Sequence, residues 1–189
     1  MTRLSAVSLA TGCVLVALTG CGTAAANAGP TPSHGTPPPT RSVAPAGDAG
    51  GACQLLEYQD IQETLGVQFS VAAASQVDNT FTCVTQATGR TLPDLTLSVT
   101  PTAADETVFK STVQPAGSTP LAGVGKVAYE APIAASPTAG PGVDIGWLAG
   151  NGQLIDLRLR LALKATPQDV ADAGPRLVAL AKRIDLSSI

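Results

Sequence analysis

The residues of this chain whose types and spacing suit a defined reaction are Leu18-Thr19-Gly20-Cys21, near the N-terminus. The thiol of Cys21 can be alkylated to a diacylglycerol thioether before the chain is cut. Thr19 and Gly20 are small enough to enter a narrow peptidase cleft. The four residues therefore indicate a site of lipid attachment and cleavage.

The segment before Cys21 has the layout of a secretion signal. Arg3 supplies a positive charge, and residues 4–18 supply an apolar run of suitable length. The run is shorter than the ~20 apolar residues of a membrane-spanning helix. Residues 18–21 match all four positions of the Leu-[Ala/Ser/Thr]-[Gly/Ala]-Cys pattern, so the segment resembles the lipobox of bacterial lipoproteins.

We therefore predict that residues 1–20 are a lipoprotein signal peptide, cleaved between Gly20 and Cys21. The alternative is an ordinary signal peptide, cut near residues 24–26. One acyl chain anchors a protein only reversibly, so two chains on Cys21 would be needed for stable attachment. The predicted location is extracytoplasmic, on the outer leaflet of the cell membrane within the cell envelope.

Two further cysteines, Cys53 and Cys83, follow Cys21 in the mature chain. In an exported domain such a pair favours a structural disulfide. A redox or metal pair is the alternative, but Cys-x-x-Cys spacing is absent and the domain has no histidine to complete a zinc site. We predict a disulfide and no metal site.

The residue types for catalysis are scarce. His34 is the only histidine and precedes the predicted domain, which excludes Ser-His-Asp and Cys-His mechanisms there. Acidic residues spaced for acid–base work fall on two predicted helices: Glu57, Asp60 and Glu63 on the first, and Asp169 and Asp172 on the last. Solvated helix faces explain these residues equally well. We predict no catalytic residue, no cofactor and no enzymatic activity.

Two other classes of site fail on the sequence. Gly123-Val124-Gly125-Lys126 lacks the remaining residues of a phosphate loop, since Pro120 and Val127 occupy the required positions. Its glycines instead permit a tight entry into a strand. The net charge of −3 and the 3% aromatic content offer neither a basic patch nor a stacking platform, which argues against nucleic acid.

The chain divides into a tether and one domain. Residues 21–51 are rich in Pro, Gly, Ala and Thr and almost uncharged, so they cannot bury enough apolar surface to offset the cost of ordering. We predict that they form a disordered tether beginning at the lipidated Cys21. Residues 52–189 are long enough for a single extracytoplasmic domain.

The strongest structural signal is the alternation from Val143 to Lys164, which predicts two antiparallel strands on a one-sided sheet. A two-residue turn would place their apolar faces on opposite sides. A three-residue loop, residues 150–152 with Gly152 left-handed, pairs Trp147 with Ile155 and keeps both faces in the core.

This register places Asp144 opposite Arg158 on the outer face, as an exposed pair worth less than ~1 kcal/mol. We propose that outer face as the candidate partner-binding surface, with a solvated sheet face as the plainer alternative. Its charged residues are Asp144, Asp156, Arg158 and Arg160.

The remaining elements follow from apolar spacing and caps. We predict a helix over residues 53–66, strands over 69–74, 81–87, 95–100 and 123–129, and loops over 115–120 and 131–142. A helix then follows the strand over 95–100, with Thr102 as N-cap and Asp105 as its third residue, and its inner face is Val108, Phe109, Thr112 and Val113. The last helix begins at Thr166, and Gly174-Pro175 should kink or split it. Together they predict an α+β fold, an antiparallel sheet of five to six strands with helices packed on one face.

The lipobox, the tether, the Cys53-Gln-Leu-Leu segment, Cys83 and the Gly123-Val124-Gly125 segment together resemble uncharacterised actinobacterial, mycobacterial-type secreted lipoproteins. Lys126 departs from the acidic residue that often follows the second glycine there. Some of these lipoproteins are similar to a Mog1p/PsbP-like α+β sandwich, which the resemblance would imply here. It implies no catalytic residues.

Two functions remain open. One is a non-catalytic binding or accessory module, attached to the membrane through Cys21 and contacting an envelope protein or polymer. The other is a carrier or sensor of a small apolar or lipidic ligand between sheet and helices. A cavity between the Leu157–Leu161 face and the last helix would favour the carrier, and a solid core would favour the interaction module.

Overall fold

The structure is a computed structural model that describes residues 43–184. The predicted signal peptide, the predicted lipidation site Cys21 and the rest of the predicted tether up to residue 42 lie outside the described residues. Within residues 43–184, no helix combines the length and apolarity that crossing a bilayer requires.

The fold is α+β, with one antiparallel sheet of seven strands in the order β1-β2-β3-β7-β6-β5-β4. The strands are β1 Val71–Val77, β2 Thr80–Gln86, β3 Asp94–Pro101, β4 Thr119–Leu121, β5 Val127–Ile133, β6 Gly142–Leu148 and β7 Gln153–Arg160. The predicted count of five to six strands is wrong. The additional strand is β4, in a segment predicted as loop, and it pairs with β5.

The β6–β7 hairpin has the predicted register. Trp147 lies opposite Ile155, Ile145 opposite Leu157, and Asp144 opposite Arg158. Gly152 is left-handed, with φ 80°, as the three-residue loop requires. The strand β7 ends at Arg160, before the predicted end at residue 164.

The inner face of the sheet holds the main core. Alternate residues of the central strands are 0–2% exposed: Leu95, Leu97 and Val99 on β3, and Ile155, Leu157 and Leu159 on β7. Full burial of each such side chain contributes about 1.5–3 kcal/mol. Two helices cover this face, α1 (Tyr58–Leu65) through Ile61 and α3 (Pro167–Arg183) through Leu177 and Leu180.

The domain begins before the predicted boundary at residue 52. A 3₁₀ helix at Ala46–Ala49 packs on the sheet, with Ala46 fully buried in the core. A second, Gly51–Leu55, precedes α1, so the helix predicted over residues 53–66 is two helices. Its predicted end is confirmed, because Gly66 is the left-handed C-cap.

The predicted disulfide is present. Cys53, in the second 3₁₀ helix, is bonded to Cys83 of β2, with a Cα–Cα distance of 4.9 Å. Both residues are fully buried. The bond fixes the start of the domain to the inner face of the sheet.

The helix α3 begins as predicted. Thr166 and Asp169 form a reciprocal capping box, and Pro167 occupies the first helical position. The helix is not split at Pro175, since Pro167–Arg183 is one element. Gly174 before the proline carries no Cβ, which removes one of the steric conflicts that proline brings to a helix.

The remaining helix, α2, corrects two predictions. It runs over Glu106–Val108 and continues as a π-helical turn, Phe109–Val113. Asp105, rather than Thr102, caps it by accepting from the amide of Val108 at 2.8 Å. Phe109 packs with Tyr129 and Leu148, which lie on the outer face, so the helices do not all pack on one face.

Candidate functional site

Three of the four charged residues predicted on the outer face come together around Asp144 of β6. Its Oδ1 accepts from Nε of Arg158 at 3.3 Å, and its Oδ2 accepts from the hydroxyl of Tyr129 at 3.2 Å. Arg158 also pairs with Asp156 at 3.4 Å. We call these four residues, Tyr129, Asp144, Asp156 and Arg158, the outer-face cluster.

The cluster is more buried than the sequence suggested. Asp144 is only 7% exposed, so the expectation of an exposed pair is wrong. Its cover is the ring of Tyr129, which lies over Gly146, where an added Cβ would be 2.5 Å from the ring. The ring of Phe109 packs on Tyr129 with centroids 5.9 Å apart.

This burial changes the acid–base properties of the cluster. Burial, followed by the adjacent charge of Asp144, raises the pKa of Asp156 to about 7, and Arg158 only partly opposes the rise. When protonated, Asp156 can donate to Asp144. Burial and Asp144 also raise the pKa of Tyr129, which therefore stays a neutral donor.

Arg160, the fourth predicted residue, lies outside this cluster. Its guanidinium donates to the carbonyls of Ala134 and Gly140 at 3.2 Å each, and so supports the loop between β5 and β6. Asp94 faces it across the sheet, and burial raises the pKa of that carboxyl while Arg160 opposes the rise.

The second feature is a groove of about 620 Å³ on the inner face. It lies between the first turns of α3 and the edge formed by β4, β5 and the β5–β6 loop. Such a volume suits a small ligand, for which pockets of roughly 300–1,000 Å³ are typical. Its apolar lining comprises Pro132, Ile133, Ala135, Pro141, Val143, Ala165, Pro167, Val170 and Ala171.

Two polar side chains, Thr119 and Glu130, complete the lining and lie opposite each other on β4 and β5. The Oε1 atom of Glu130 lies 2.5 Å from where a Cβ on Gly174 would stand, so α3 passes directly over the carboxylate. A side chain at position 174 would displace it.

The large groove does not lie at the Leu157–Leu161 face, the place where a cavity was expected to favour the carrier. Leu157 and Leu159 are at most 2% exposed beneath α3. A smaller cavity of about 310 Å³ lies beside Leu159 and Leu161. The large groove lies farther along α3, where β5 continues to Ile133 through a segment predicted as loop.

Three of the five acidic residues considered for catalysis lie in ion pairs or a helix cap, and Asp172 accepts from Nε2 of Gln168 at 2.8 Å. Asp60 and Glu63 of α1 bind Arg183 of α3 at 3.0 and 2.9 Å, joining the two helices. Asp169 belongs to the capping box. Among residues 43–184, no group of three or more His, Cys, Asp or Glu side chains could hold a metal ion.

The glycines of the 123–126 segment act as predicted. Gly125 has φ 53°, and a Cβ there would lie 2.5 Å from the carbonyl oxygen of Leu148. The amide of Lys126 then donates to that carbonyl at 2.8 Å, which starts the pairing of β5 with β6.

Sequence reasoning missed Tyr129 and Glu130. The signal was available, because neighbouring residues of one strand point to opposite faces. Tyr129 joins the outer-face cluster while Glu130 enters the groove.

Comparison with known protein families, with curated protein sequences and with solved structures finds no match to this chain.

Proposed function

We propose that this protein is a lipid-anchored, extracytoplasmic, non-catalytic binding module of the cell envelope, whose inner groove holds a small, largely apolar ligand. The observation that carries the proposal is the groove itself, about 620 Å³ in volume and lined mainly by apolar side chains. The disulfide between Cys53 and Cys83 is compatible with an extracytoplasmic location.

The ligand is tested by native mass spectrometry of the protein isolated from its own host. We expect a co-purifying small molecule, lost in Ala171→Trp, because an indole at this exposed position would fill the groove. Ala179→Trp, on an exposed part of the same helix, is the matched control and should retain the molecule. A molecule retained equally by both variants would place it elsewhere, and its absence from the parent protein would count against the carrier.

The anchor is tested separately by palmitate labelling in the host. Wild-type protein should incorporate label, and Cys21→Ala should not. Undiminished labelling of Cys21→Ala would refute lipidation at this residue.

A protein-interaction module is the second candidate, and the outer face is its surface. Arg158 supports it, because two carboxylates hold its guanidinium in place while 44% of the side chain stays exposed. In-cell cross-linking should then recover an envelope protein bound to the parent chain. The same envelope protein should not be recovered with the Arg158→Ala variant. Recovery unaffected by Arg158→Ala would remove the support for this surface.

A further inference from the structure

The groove has one charged side chain, Glu130, and its surroundings decide what kind of ligand fits. Glu130 is half-buried, and within residues 43–184 no ion pair or hydrogen bond engages its carboxylate. A carboxylate partly removed from water and left without a partner is unfavourable, and a bound cation would relieve that cost.

The Glu130 carboxylate lies against α3 because of the Gly174-Pro175 pair in that helix. Gly174 has no side chain, which leaves room for Oε1 of Glu130 beside the helix backbone. The next residue, Pro175, has no amide hydrogen, so the carbonyl of Ala171 lacks its usual helical donor. Ala171 lines the same groove. The Gly174-Pro175 pair thus gives the Glu130 carboxylate its place beside α3 and leaves the Ala171 carbonyl without its helical donor.

The opposite sign of charge is disfavoured. The N-terminal end of α3 borders the groove through Pro167 and could in principle attract an anion. Thr166 and Asp169 already cap that end, and the Asp169 carboxylate compensates the positive end of the helix dipole. An anionic ligand would therefore be repelled by the Glu130 carboxylate, and the capped N-terminal end of α3 would offer no hydrogen-bond donor to offset that repulsion.

A metal ion is also a poor match, because Glu130 is the single carboxylate of the lining. The rest of the groove is aliphatic, as Val143 and Val170 on opposite walls illustrate. Building on the proposed ligand-binding function, we infer that the groove binds an amphipathic organic cation, with its ammonium group at Glu130 and its hydrocarbon part along the apolar walls.

Equilibrium dialysis of the full chain carrying Cys21→Ala tests this inference with decylamine, decanol and decanoate, each below its micellar concentration. We expect decylamine to bind at least about tenfold more tightly than decanol, and decanoate to bind most weakly. Glu130→Gln should bring the amine to within about twofold of the alcohol. Glu57→Gln, an exposed glutamate outside the groove, should leave the preference unchanged.

The outcomes separate the two proposals. Equal binding of amine and alcohol, a preference for decanoate, or a preference that survives Glu130→Gln would overturn the organic-cation assignment and leave the apolar groove intact. Binding of all three compounds that Ala171→Trp fails to weaken would place the ligand outside the groove. Failure of all three to bind would overturn both proposals.

Discussion

Asp144 is the residue on which the outer face depends, because each of its carboxylate oxygens has a different partner. Arg158 engages one and Tyr129 the other, so the group is held between a cation and a neutral donor. The nearby Asp156 has only Arg158 as an oppositely charged partner. Burial and the charge of Asp144 raise the pKa of Asp156, so its protonation responds to pH near neutrality.

Asp156 makes the stability of the domain depend on pH. In the fold its pKa is about 7, whereas an aspartate in an unfolded chain titrates near ~4. Between these values the folded state binds more protons, so this group lowers the free energy of unfolding as pH rises. We expect the free energy of unfolding of Asp156→Asn to equal that of the parent near pH ~4. Near pH ~8 it should exceed that of the parent by on the order of 2 kcal/mol.

Urea unfolding across this pH range measures the difference. Asp78→Asn, in the exposed β1–β2 turn, changes the same charge and serves as control. Parallel stability curves for the parent and Asp156→Asn would show that burial does not perturb this carboxyl.

The pairing of Asp144 with Arg158 was predictable from sequence, and its burial was not. Pairing follows from the length of the β6–β7 loop, which is local information. Burial depends on Phe109 and Tyr129, which belong to distant segments and pack together over Gly146. Alternation identifies an outer face, but it does not reveal which helix will cover that face.

At the scale of elements, the disulfide should add to the free energy of unfolding beyond what the packing of its two buried side chains contributes. It closes a loop between residues separated by 30 positions, which corresponds to about 3.7 kcal/mol from the reduced entropy of the unfolded chain. We expect the Cys53→Ala, Cys83→Ala double variant to lose at least that free energy of unfolding. Chemical denaturation of oxidised protein measures it.

Reduction of the parent protein is the control that separates the bond from the side chains. Reduced parent should lose about 3.7 kcal/mol of unfolding free energy, and the double variant should be unaffected by reductant. An unchanged unfolding midpoint on reduction of the parent would show that the bond adds no stability.

The elements themselves were predictable to different degrees. Long alternation and a glycine-containing loop determine the β6–β7 hairpin, and the cap residues around Thr166 determine the start of α3. The strand β4 has three residues, one of them Pro120, so it offers no periodicity and depends on pairing with β5. The groove could not be located from the sequence for the same reason, because its outer wall is β4 and the end of β5.

At the scale of the whole molecule, the two candidate sites share a strand and lie on opposite sides of the sheet. Tyr129 and Glu130 are consecutive residues of β5, and one enters the outer-face cluster while the other enters the groove. The strand β5 therefore contributes to both candidate sites, while β2 holds one cysteine of the disulfide and β3 supplies part of the core.

The strand order also has a consequence for how fast the chain folds. Within residues 43–184, five of the six strand pairings join consecutive strands, and only β3 with β7 joins distant segments. Two meanders, β1–β3 and β4–β7, can form through local contacts, but their docking must close a long loop. Leu97 lies opposite Leu157 at this junction.

We expect Leu97→Ala to destabilise the domain by ~2–4 kcal/mol and to slow refolding in stopped-flow measurements. Most of the lost stability should appear as a higher barrier to folding. Ile145→Ala, within the second meander, should mainly accelerate unfolding. Refolding rates that respond to Ile145→Ala more than to Leu97→Ala would place the rate-limiting step inside a meander. With the expected result, the barrier to folding is the meeting of two preformed halves along a single pair of strands.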